Sequence, residues 1–87
     1  MITALEQKKL RTLFQGHYTE DVLKILNSRH VLNRNGAPHN AQYVRMVFQG
    51  VRNNIDIEAA IFQLAILRKK KLETQESQKN NLFNNNS

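Results

Sequence analysis

Five cations fall within residues 22–52 of this chain, Lys24, Arg29, Arg34, Arg45 and Arg52, and no acid falls among them. Ammonium and guanidinium groups with no local carboxylate to neutralise them suit the phosphates of a polyanion. Asn40, Gln42 and Gln49 are interspersed with these cations. A carboxamide offers a donor beside an acceptor, which matches the edge of adenine, as the fork of Arg matches that of guanine. The combination is that of a surface able to read a nucleic acid. Asn40, Gln42, Arg45 and Gln49 would meet base edges, and Lys24, Arg29 and Arg52 the backbone. Arg34 would reach a phosphate or the minor groove from a connector tip. For each residue, an ordinary solvated polar face is the alternative.

Other chemistries find less support. His17, His30 and His39 are too far apart in sequence for two to share a helical turn, and the chain has no cysteine, so no metal site and no disulfide is expected. Asp56 and Glu58 lie two residues apart, on different helix faces, and read as partners of a helix N-terminus. No Ser-His-Asp set and no Gly-rich phosphate loop occurs. Catalytic residues, cofactors and a small-molecule substrate are therefore not expected. Tyr43 and Phe48 have the type to stack on bases, but their spacing with Val44 and Val47 fits core packing better.

The positioning elements follow from hydrophobic spacing and caps. A first helix is expected from about Thr3 to Gln15, with Thr3 as N-cap, Glu6 in the capping-box position and Gly16 as the stop. Leu10, Leu13 and Phe14 form its apolar face. A second helix is expected to start at Glu20 after a Thr19 cap, with Val22, Leu23, Ile25 and Leu26 inward, and to end between Ser28 and His30. The connector from His30 to Pro38 is longer than the turn of a tight helix–turn–helix. Asn35-Gly36 predicts a short hairpin or loop there, with Val31 or Leu32 tucked inward. A third helix is expected from Asn40 to Phe48, capped by His39 or Asn40, with Tyr43, Val44, Val47 and Phe48 inward and Gln42, Arg45 and Gln49 outward. A fourth should run from Asn54–Asp56 to about Glu73.

That fourth helix has Ile57, Ala60, Ile61, Leu64 and Leu67 on one face and Phe62, Ala65 and Ile66 on another. So wide an apolar surface predicts either a central helix or a second face packed on another chain, and Phe62 and Ile66 are the candidate homodimer contacts. Arg68–Lys71 either binds phosphate or solvates the helix end. Residues 74–87 are polar and Asn-rich, which predicts a disordered tail after a domain spanning 1–73.

Residues 21–50 resemble the recombinase domain of large serine recombinases and related DNA-binding modules of mobile elements. There, a helix ending in Leu-Asn leads into an extended Thr/Asn-Arg-x-Gly turn closed by an aromatic, and a helix bearing Val-Arg follows. The matching pieces are Leu26-Asn27, Asn33-Arg34-Asn35-Gly36, Val44-Arg45 and Val47. The chain departs at His39, where the family has an aromatic anchoring the turn. The recombinase catalytic domain has no counterpart in 87 residues. The resemblance implies a DNA-binding module without strand-transfer activity.

Mass and charge fit that expectation. A net charge of +6 on 10.1 kDa favours polyanions. The longest apolar-rich run, Ala59–Leu67, is too short to span a bilayer, and no signal peptide is recognisable at the N-terminus. The expectation is an all-α, four-helix domain with a helix–turn–helix-like core. Its partners would be double-stranded DNA and a second copy of itself, in the cytoplasm, as a transcription regulator or accessory factor of a phage or mobile element. The rival is a protein–protein interaction module, such as a phage-type inhibitor, using the apolar surface of the fourth helix.

Overall fold

The structure, a computed structural model, describes the backbone of residues 1–84 and the side chains of residues 1–76 and 78. Four helices follow one another: α1 (Ala4–Phe14), α2 (Thr19–Ser28), α3 (Ala41–Phe48) and α4 (Ile55–Asn84). Among the described residues there is no strand, so the fold is all-α as the periodicity predicts.

Local chemistry sets most boundaries. At α1, the Glu6 amide donates to Thr3 Oγ1 at 3.2 Å while the Thr3 amide donates to Glu6 Oε1 at 3.0 Å, a complete capping box. The helix ends where Gln15 turns left-handed (φ 54°), one residue before the expected stop at Gly16. α2 differs from expectation. Tyr18, not Thr19, precedes it, and no side chain caps it. Tyr18 is held instead by its ring, which lies 4.6 Å from that of Phe48 and 5.4 Å from that of Phe14. Glu20 and Asp21 in the first turn supply the negative charge that the open amides favour.

The connector closes as a loop and not a hairpin. Asn33 Oδ1 accepts from the amides of Asn35 (2.9 Å) and Ala37 (3.0 Å), and the Asn33 amide donates to the Ala37 carbonyl at 2.7 Å. Val31 is half-buried against the core, whereas Leu32 is 52% exposed. α3 is capped by Asn40, whose Oδ1 accepts from the Tyr43 amide at 2.8 Å. It stops at Gly50 (φ 78°), where Gly50 and Val51 donate back to Val47 and Met46. A Cβ there would stand 3.2 Å from the Ile2 carbonyl oxygen, so both conformation and space call for glycine.

α4 begins after Asn54, whose Oδ1 accepts from the Ile57 amide at 3.0 Å. It packs on α1, α2 and α3 and is the central element. The core joins Ile57, Ala60, Ile61 and Leu64 of α4 to Leu10, Phe14, Val22, Leu26, Val44, Val47 and Phe48. Ile2, ahead of any helix, is buried with them. Leu67, expected on this face, is instead 51% exposed, because the helix has by then reached the edge of the body. α4 also continues past Glu73, where composition predicts disorder. Residues 74–84 contain no Gly or Pro and include the helix-favouring Gln75, Glu76, Gln78 and Lys79. The rest of the expected tail, 85–87, lies outside the described residues.

Candidate nucleic-acid interface

α3 presents the clearest candidate surface. Val44, Val47 and Phe48 are buried, which turns Gln42, Arg45 and Gln49 outward, and all three are exposed. Their spacing of i, i+3 and i+7 puts them on one side of the helix. Among the described residues, no side-chain hydrogen bond or ion pair engages them. Asn40 is different. It is exposed at the start of the helix, and its Oδ1 accepts the cap bond from the Tyr43 amide, which fixes the orientation of the carboxamide.

Arg45 has company that sequence reasoning missed. Burial pushes the Tyr18 hydroxyl above its ordinary value of 10, and the positive charges of Arg45 and Arg11 act in the opposite direction. Both guanidinium charges therefore act on Tyr18. Arg11 also sits 6.0 Å from the centre of the Phe48 ring. It comes from α1, outside the acid-free segment, and only tertiary packing brings it to this side.

Arg34 and Asn40 meet across an open cleft of about 500 Å³ that Asn33, Asn35, His39 and Tyr43 help to line, and no acidic residue lines it. His39 stacks on Tyr43, with ring centres 5.6 Å apart and planes 12° from parallel. Lys24 is exposed on α2, Arg29 follows the end of α2, and Arg52 is exposed in the turn between α3 and α4. No hydrogen bond or cleft among the described residues joins these three to the Arg45 or Arg34 groups. Of the candidate dimer contacts, Ile66 is 58% exposed, while Phe62 is half-buried against its own core.

The basic run at the end of the folded body divides. Lys69, Lys70 and Lys71 are exposed, but Arg68 turns inward to bind Phe14 and Asp21. Among the described residues, no three of His, Cys, Asp and Glu converge as metal ligands, and no helix is long and apolar enough to cross a membrane. Comparison of the chain with protein-family models, curated proteins and solved structures finds no match.

Proposed function

We propose that this chain is a small sequence-reading protein of double-stranded DNA, a regulator or accessory factor that lays α3 in the major groove. The observation that carries the reading is the open side of α3, where Gln42, Arg45 and Gln49 stand together unengaged. These are the side-chain types that read adenine and guanine edges. The acid-free stretch from 22 to 52 and the net charge of +6 support backbone contacts by Lys24, Arg29, Arg34 and Arg52. The connector, residues 29–40, is longer than a tight helix–turn–helix allows, so α2 and α3 would act as a looser version of that motif, with Arg34 at the tip. The resemblance to recombinase-type modules points the same way.

Titration of duplex DNA across salt concentrations tests this. Four phosphate contacts give a slope of log K against log salt of about −3.6. Arg45→Ala should weaken the preferred site by about 1–3 kcal/mol and relax sequence preference, whereas Lys24→Ala should weaken all sequences alike and lower the slope by about one. An affinity indifferent to salt refutes the reading. A protein-partner module is the second reading, favoured by Ile55 and Ile66, which are 85% and 58% exposed. Activity that survives loss of Arg34 and Arg45 but not of Ile66 would decide for it.

A further inference from the structure

α4 has two apolar faces, and the chain itself covers only one. Ile57, Ala60, Ile61 and Leu64 are buried. Ile55, Ala59, Phe62 and Ile66 recur at i, i+4, i+7 and i+11, a second stripe centred about half a turn away from the first. Ile55 is 85% exposed and Ile66 58%; Ala59 is exposed and Phe62 half-buried. Alternating steps of four and three residues make the seam along which two helices pair.

We infer that this stripe seats a second copy of the chain, with the two α4 helices antiparallel and Ile55 of each set against Ile66 of the other. In that register Ala59 faces Phe62, small against large, on both sides of a two-fold axis, so one stripe complements itself. Charge selects the same direction. Asp56 is exposed in the first turn and Lys69 and Lys70 follow the stripe, while Glu58 is already paired with the Met1 amine at 2.7 Å. Antiparallel pairing carries each acidic start toward the other copy's lysines, whereas parallel pairing would set Lys69 and Lys70 against their own equivalents. The next stripe positions are Lys69 and Glu73, so the seam is short and the pairing reversible. This inference is independent of the nucleic-acid reading.

Sedimentation equilibrium of the full chain at about 100 µM should give twice the 10.1 kDa chain mass. Ile55→Glu and Ile66→Glu should each return it to the single mass with helical circular dichroism unchanged. The chain has no cysteine, so introduced ones report cleanly. In the antiparallel register the two copies of residue 55 lie about 16 Å apart along the axis, beyond disulfide reach. Oxidised Ile55→Cys should therefore stay uncrosslinked, while an equimolar mixture of Ile55→Cys and Ile66→Cys forms a mixed disulfide. A single-mass species at about 100 µM, a doubled mass that survives both Glu variants, or self-crosslinking of Ile55→Cys would each overturn the inference.

Discussion

Arg68 opens a run of four cations, yet its role differs from that of the three lysines behind it. Its Nη1 donates to the Phe14 carbonyl at 3.0 Å, its Nη2 to Asp21 Oδ2 at 2.8 Å, and its guanidinium lies 5.1 Å from the Phe14 ring centre. One side chain thus adds a second donor to the Phe14 carbonyl, which also accepts from the His17 amide at 3.3 Å, pairs with an acid at the start of α2 and ties both to α4. Arg68 and Asp21 retain 22% and 46% of their side-chain exposure, so water screens part of the attraction. Arg68→Ala is expected to lower stability by about 1–2 kcal/mol, a thermal midpoint shift of several degrees in a domain of this size. Arg68→Lys should recover only part, because an ammonium cannot fork to both acceptors. Alanine at Lys69, Lys70 or Lys71 should stay within about 0.5 kcal/mol, and thermal melts followed by circular dichroism separate the cases. The sequence shows one uniform patch here. The partners of Arg68 are 47 and 54 residues away, and no local pattern marks them.

Helix ends are where local sequence and structure agree best. Thr3, Asn40 and Asn54 cap as their types predict, since a short polar side chain needs only its own next turn to do so. Thr3→Ala should therefore cost about 1 kcal/mol in urea denaturation. Its partner Glu6 adds a pH signature. The Thr3 backbone amide, followed by the Thr3 hydroxyl, holds the Glu6 carboxyl below its ordinary 4.5. A carboxylate with a depressed value stabilises above its unfolded value and loses that contribution as pH falls through the folded one. Wild type should lose stability on acidification below 4.5, and Glu6→Gln should lack that component of the slope. Where non-local packing decides, local signals misplace the boundary. Thr19 looks like the cap of α2, but the aromatic contacts of Tyr18 fix the chain one residue earlier. Ile2 carries no periodic signal, yet it is buried beside Gly50, where an added methyl would meet its carbonyl oxygen. The open side of α3 is legible because a short amphipathic helix determines its own outer face. Arg11 and the full stripe of α4 are not, because exposure there depends on what the other helices leave uncovered.

At the scale of the whole molecule, two surfaces stand apart. On the two proposals, α3 would offer its polar side to a partner rich in phosphate and base edges, and α4 its outer stripe to another copy of the chain. The two proposals are separable, and together they predict more than either alone. A two-fold dimer carries two α3 faces, and where both face one duplex about a helical turn apart they would meet two half-sites. Each subunit would displace its own set of counterions, so the salt slope should scale with the number of subunits bound. Ile66→Glu touches no residue of the α3 face. If both proposals hold, the variant should bind duplex as a single chain, with about half the wild-type slope and a footprint reduced to one half-site. Its sequence preference should be unchanged, because Gln42, Arg45 and Gln49 are untouched. Arg45→Ala should do the reverse, keeping the doubled mass while losing the preference. Equal slopes for wild type and Ile66→Glu would mean that the outer stripe of α4 plays no part in how the chain meets DNA, even if the chain pairs through it in solution.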